Sequence, residues 1–486
     1  MIQQLKYKLQ PLLRLCWLGM LLATGAGCKK YLEVPIPIGS IVGTSVFQND
    51  NTAAATLNSI YARVYANGYF DGNTSVGFYT GLYTDEWKNL SATALDNQSV
   101  YGNGVSSSSA GATGFWSKFY SQLYSVNLAI EGLSAAGNNL SYRDQWLGEA
   151  YFLRGQLYFY LTNLYKDVPL VLQSDYQVNN QLARRSQTDV YLQIVSDLKQ
   201  AQSLLDSRYH NVAGAVTTDR GRPNRYAATA LLSRVYLYTL DWKNAESQAD
   251  SLINNVADYQ LPALSKVFQL NGPEVIWGVV PYNAGLYPYT VKDATSFYLP
   301  PGKQPSAQGV IGSLADSLVK TFEPGDARYT NWVGADTVPA SGTSPMAIYY
   351  YPNKYRVRST AAAQEVVVFY RLAEQYLIRA EARAQQNNIS GGLSDLNAVR
   401  TRASLASLST ATQAGLLSAI LHERRVELFT ENGHRFFDLR RTGNLDATMA
   451  IAAPLKGGTW ASFKAWWPIP LSDIENNTHL DQTSGY

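Results

Sequence analysis

The chain is predicted to be mainly α, a scaffold of tetratricopeptide-like helical pairs carrying a loop-rich, partly β insertion. Three observations predict this class. Long segments place apolar residues at helical spacing or on every face. Several of them come as pairs joined by short links, each pair spanning about 30 residues, close to the tetratricopeptide period. Residues 257–369 break that pattern with Pro262, Pro273, Pro281, Pro300, Pro301 and Pro352 among many tyrosines.

Residues 1–27 are expected to be an export signal. Lys6, Lys8 and Arg14 form a positive start, and Leu15 to Ala23 is an apolar run too short to cross a bilayer. Small residues from Thr24 to Gly27 then precede Cys28. Cys16 leaves with the signal, so Cys28 becomes the only cysteine and an intramolecular disulfide is excluded. A single cysteine at the first mature position suits lipidation, in which each buried methylene adds about 0.8 kcal/mol of membrane affinity. Gly25 stands where lipoprotein signals usually carry Leu. Losing three positive charges takes the formal net charge from +3 to about zero, which argues against nucleic acid as a partner.

The remainder, 28–486, is read as one domain in three stretches: helices with loops at 50–256, the insertion at 257–369, and a C-terminal helical block at 370–486. After the proline-punctuated 34–37, Asn51 to Tyr65 has helical spacing behind an Asn or Thr cap. Residues 66–114 are rich in Gly, Ser, Asn and Thr and read as long surface loops around Tyr83 to Asn89. Gln145 to Tyr165 is apolar on nearly every face, as in a helix packed on several sides. Thr188 to Leu205 follows it. Tyr226 to Leu240 and Lys243 to Asn255 form a hairpin across Asp241, and the grammar recurs from Tyr370 to Ala403. Three pairs are the minimum that buries a continuous core. Inside the insertion, Glu274 to Val280 and Glu365 to Tyr370 read as short strands, with Trp277 in the core. Trp116, Trp146 and Trp242 fall on helices and are read as packing residues.

In order along the chain, six landmarks resemble those of the SusD/RagB family. They are Cys28 to Glu33; Gly148 to Gly155 with Asp167 to Leu170; Gly221-Arg222-Pro223 with Ala227 to Tyr238; Arg371 to Ala382 with Leu396 to Ala403; Glu423 to Leu428 with Arg435 to Arg441; and Trp467-Pro468-Ile469-Pro470 to Gly485-Tyr486. The ending departs from the family in Thr478 and Thr483-Ser484. The resemblance implies a SusD-like fold, held by lipid at the exterior of the outer membrane. It also implies a SusC-like TonB-dependent transporter as partner and a glycan, less often a peptide as in RagB-like members, as ligand.

The residues themselves offer little for catalysis. Glu423, Glu427, Glu431 and Asp438 stand among Arg424, Arg425, Arg435, Arg440 and Arg441, and such arginines pin carboxylates rather than leave them poised as acids. His210, His422, His434 and His479 have no metal-ligand spacing, and no nucleophile elbow or phosphate loop occurs. No cofactor, metal or enzymatic activity is expected. A glycan surface needs flat rings for sugar C–H faces and polar partners for hydroxyls. Two regions have that mixture: Tyr83, Asp85, Trp87 and Asn89, and, in the insertion, Tyr282, Asn283, Tyr287, Tyr289, Tyr298 and Trp332. The competing readings are a helical-repeat adaptor that binds only protein and a secreted glycosidase. The latter needs two carboxylates about 5–10 Å apart in a cleft.

Overall fold

The helices start where short polar side chains can take up free amide hydrogens. In a computed structural model that describes residues 43–486 except 67–68, 283–288, 341–344 and 411, the first long helix is α1 (Asp50–Ala66). Next come α2 (Val76–Tyr83), a short strand β1 (Trp87–Asn89), α3 (Leu95–Tyr101) and α4 (Ala110–Ala135). Ser75 caps α2 by accepting from Phe78 N. The expectation of long surface loops over 66–114 is therefore wrong. Every residue of α2 is buried, because its Gly and Thr are spaced among Val, Phe, Tyr and Leu and let neighbouring elements close over it. Polar composition was mistaken for exposure.

The repeated pairs then appear as expected. α5 (Arg143–Tyr165) is buried along almost its whole length and lies against α4 and α6 (Gln187–Leu204). Gly148 and Gly155 share one face of α5, and a Cβ on either would crowd Leu205 or Leu198, so the two glycines let the helices approach closely. α7 (Arg225–Tyr238) and α8 (Trp242–Ile253) start on Asn224 and Asp241, whose side chains accept from Ala227 N and Asn244 N. Such caps are worth about 1 kcal/mol each. α6 packs on α7, and α8 packs on the first helix of the last pair.

The insertion contributes β2 (Val275–Val279), β3 (Gly312–Leu314), β4 (Val333–Val338), β5 (Ala347–Pro352) and β6 (Val367–Arg371). Antiparallel β2 and β6 pair Val279 with Val367 and Trp277 with Tyr370, and every residue of both is buried. That explains their continuous apolar runs, since a strand covered on both faces has no polar alternation. β4 and β5 form a hairpin from Val333↔Pro352 to Val338↔Ala347. β1 pairs with β3, Trp87 opposite Leu314, which ties the N-terminal helices to the insertion.

The last block holds the pair α9 (Leu372–Gln385) and α10 (Ile389–Arg402), then α11 (Gln413–Glu427), α12 (His434–Arg441) and α13 (Leu445–Leu455). Trp116, Trp146 and Trp277 are buried in the main core, and Trp242 packs against it half-exposed. Among the described residues no helix is long and apolar enough to cross a membrane. Cys28 lies outside the described residues.

Candidate functional site

The charged cluster around α11 is a closed ionic lattice. Arg371 Nη1 donates to Glu274 Oε1 at 2.9 Å and Glu427 Oε1 at 2.5 Å, while its Nε and Nη2 donate to Glu431 at 2.8 and 2.9 Å. Arg328 Nη1 reaches Glu423 at 2.5 Å and the second oxygen of Glu427 at 2.9 Å. Arg402 joins Glu274 to Glu427, and Lys354 Nζ sits 2.5 Å from Glu431. Glu423 and Glu427 are fully buried. Burial alone raises the pKa of Glu427, but Arg402, Arg371 and Arg328 overcome it and hold the carboxyl well below its ordinary value. Glu431 is lowered in the same way, by Arg371 and Lys354 against burial. Locked by guanidinium and ammonium groups and shut from solvent, Glu427 and Glu431 are held ionised rather than poised as acids.

Other buried arginines pair likewise across helices: Arg154 with Asp197, Arg234 with Glu374, Arg379 with Asp395, and Arg441 with Glu381. The sign of each buried acid sets the pH response. Glu427 and Glu431 have lowered folded-state pKa values, so their contribution is present above about pH 4.5 and is lost as pH falls below it. Glu86 and Asp293 are pushed up to about 7, first by burial, so folding is weakened as pH rises from about 4 to 7. Glu86→Gln is therefore expected to lose less stability than the parent as pH rises from about 4 to 7, read in chemical denaturation midpoints; the same pH dependence in both contradicts this assignment.

The aromatic residues expected at a ligand surface divide sharply. Tyr83, Trp87 and Trp332 are closed to solvent and cannot stack on a sugar. Tyr83 sits among Phe436, Trp460 and Trp467. Trp87 lies 4.3 Å from Phe297 and 5.1 Å from Phe78. Trp332 donates from Nε1 to Leu264 O and packs on Phe268. Asp85 is gripped by Arg425 and Arg435, and Asn89 spends its amide on Ser91 in a local turn. Tyr298 is half-buried, with Arg358 3.7 Å from its ring centroid. Asn283 and Tyr287 lie outside the described residues.

Among the described residues Tyr282 is the one expected ring that is exposed, and it lines a cleft of about 470 Å³; Asp85 and Trp87 border another of about 530 Å³, but the indole there is 1% exposed. α1 supplies one wall with Asn58, Tyr61 and Ala62; Val279 and Val280, at the end of β2, add apolar surface. The opposite side is the tight turn between Tyr209–His210 and Val216–Thr217, with Asn211 and Val212, followed by Asp219, Gly221 and Arg222. Asn211 Oδ1 accepts from Ala213 N and Ala215 N, which fixes the turn with Asn211 exposed on the cleft wall. Tyr282 is exposed, and its ring meets Tyr65 edge-on at 5.1 Å. Tyr289 N donates to Tyr282 O at 3.3 Å, and Tyr65 Oη donates to Thr290 O at 2.8 Å, so both ends of the 282–289 loop are tied beside α1. Tyr289 holds a left-handed backbone, φ 56°, at the closing end.

Under the cleft, Arg222 clasps Glu149 at 2.6 and 3.2 Å, gives a third hydrogen bond to Asn58 Oδ1, and covers the Tyr61 ring at 4.9 Å. Tyr61 and Gln145 also donate to Glu149. That carboxylate is held by several donors behind the lining, and among the described residues Asp219 is the one carboxylate on the cleft wall, so these residues offer binding groups and not a paired acid and base. No motif marks Asn58, Asn211 or Asp219, and sequence reading missed all three. Among the described residues no group of three or more His, Cys, Asp or Glu side chains is placed to hold a metal ion.

Two family models match the chain. One described as "SusD family" covers residues 320–486, and one described as "Starch-binding associating with outer membrane" covers 36–237. SusD-like protein P38 of Formosa agariphila is 23% identical over 94% of this chain and 96% of its own. Starch-binding protein SusD of Bacteroides thetaiotaomicron is 34% identical over 125 residues, 25% of this chain and 21% of that one. Among solved structures, a laminarin-binding SusD-like protein superposes with a TM-score of 0.73 at 23% identity, covering 90% of this chain and all of the other. A SusD superfamily protein from Parabacteroides distasonis gives 0.75 at 21% identity over 90% and 99%.

Proposed function

This chain belongs to the SusD-like family, and on that premise we propose that it binds a glycan at the surface of the outer membrane, held there by lipid on Cys28, and passes it to a SusC-like TonB-dependent transporter without altering it. The observation that carries the binding step is the cleft beneath Tyr282. It combines one exposed, rigidly propped ring with the amides of Asn58 and Asn211 and the carboxylate of Asp219 around apolar Val279 and Val280. Sugar rings need just that alternation of flat apolar contact and directed hydrogen bonds. The relatives described as starch-binding and laminarin-binding support the ligand class.

Calorimetry across a glycan panel tests the reading. Soluble chain lacking residues 1–28 is expected to bind at least one oligosaccharide and return it uncleaved. Tyr282→Ala is expected to weaken that binding by about tenfold or more, the worth of one ring stacked on a ligand. Cleaved sugar, or binding indifferent to Tyr282, overturns it.

A second reading, a protein-binding adaptor, draws on a groove of about 590 Å³ between α6 and α7. Leu192 and Leu240 stand exposed on it beside Tyr191 and Tyr236. Retention of a membrane protein by this face, with no glycan binding anywhere, would favour the adaptor.

A further inference from the structure

We infer that the cleft beneath Tyr282 admits neutral oligosaccharides and turns away acidic ones, with Asp219 as the residue that sets this preference. The inference rests on the glycan-binding reading of the same cleft. Its basis is the charge left over once internal pairs are satisfied. Arg222, the one guanidinium among the described residues lining the cleft, is neutralised by the bidentate Glu149 and further engaged by Asn58. The His210 ring is held between Gly214 O at 2.7 Å and Asp206 at 3.0 Å, and Asp206 is itself paired with Arg208. Arg220 turns away to the carbonyls of Val275 and Asp258. Lys292, beyond Tyr282, is spent on Tyr65 O and Asp71.

What remains is negative. Asp219 is exposed, and its Oδ1 accepts from Gly221 N at 2.8 Å, which orients the carboxylate. No described residue donates to Oδ2. An oriented carboxylate accepts strong hydrogen bonds from sugar hydroxyls. It repels a uronate or sulfate brought to the same place, and among the described residues lining the cleft no free cation offsets that repulsion. Asn58 and Asn211 add amide donors that suit hydroxyl oxygens equally and carry no charge.

A glycan microarray probed with the full chain tests this. The array carries neutral gluco-, manno- and galacto-oligosaccharides beside uronate and sulfated forms of the same backbones. Hits are expected among neutral sugars, with each acidic counterpart at least tenfold weaker. Asp219→Asn keeps the Oδ1 acceptor, so the turn is preserved; it is expected to weaken the neutral hits several-fold and to narrow the gap. Asp219→Lys is expected to admit the acidic forms. Acidic glycans bound as tightly as their neutral counterparts, or a gap unmoved by either variant, overturn the inference and leave the glycan-binding reading standing. An array with no hits, and a Tyr282→Ala chain indistinguishable from the parent, overturns that reading itself.

Discussion

Arg371→Ala is expected to lower folding stability by about 3–5 kcal/mol, the usual loss when one partner of a buried ion pair is removed. Arg371 ends β6, and its guanidinium meets Glu274 from the insertion and Glu427 and Glu431 from the C-terminal block. Removing it takes a cation from three buried carboxylates: Glu274 keeps Arg402, Glu427 keeps Arg328 and Arg402, and Glu431 keeps only Lys354. The lattice as a whole need not add net stability, because desolvating so many charges offsets their attraction. The role expected of it is positional, since Arg371 at the end of β6 joins Glu274 of the insertion to Glu427 and Glu431 of the C-terminal block. Denaturant unfolding measures the loss, and a double-mutant cycle with Glu427→Ala should show strong non-additivity. A loss below about 1 kcal/mol would mean that the lattice relaxes around the gap, and the positional role would fall.

The second large effect concerns a residue whose neighbours in sequence look like a ligand site. Trp87→Ala is expected to destabilise by about 3–5 kcal/mol through the cavity it leaves. The indole fills space between Phe78 and Phe297, and Gly81 is bare where a Cβ would overlap the Trp87 ring. Trp87→Phe, milder and still folded, is expected to leave glycan affinity within twofold of the parent. Thermal unfolding and calorimetry on the same samples separate the two effects. A folded Trp87 variant that loses binding outright would return this ring to the ligand surface.

The scaffold was legible because helical pairs write their packing locally. Periodicity, caps at Asn224 and Asp241, and short links suffice to place neighbouring helices. Fully buried β2 and β6 were legible for the same reason, as unbroken apolar runs. The site was read poorly. Trp87 and Tyr83 stand beside Asp85 and Asn89 in sequence, yet polar neighbours did not mean an exposed position. Asp85 is drawn in by Arg425 and Arg435 from α11 and α12, more than 300 residues along the chain. Asn58, Asn211 and Asp219 meet only after α1 and the Tyr209–Thr217 turn are brought together, and nothing at any one position announces it. Of the expected rings, Tyr282 is one the fold leaves exposed beside the proposed cleft, at the start of a loop of the kind that often carries recognition.

The paired ends of that loop carry a consequence for diversification. Tyr282 and Tyr289 are bridged by a backbone hydrogen bond, and the ion pairs that set the framework lie elsewhere. Doubling the length of a segment closed in this way adds only about 0.6 kcal/mol of closure entropy. Insertions between these two tied ends are therefore expected to leave the denaturation midpoint of the framework nearly unchanged, whatever they do to the range of sugars bound.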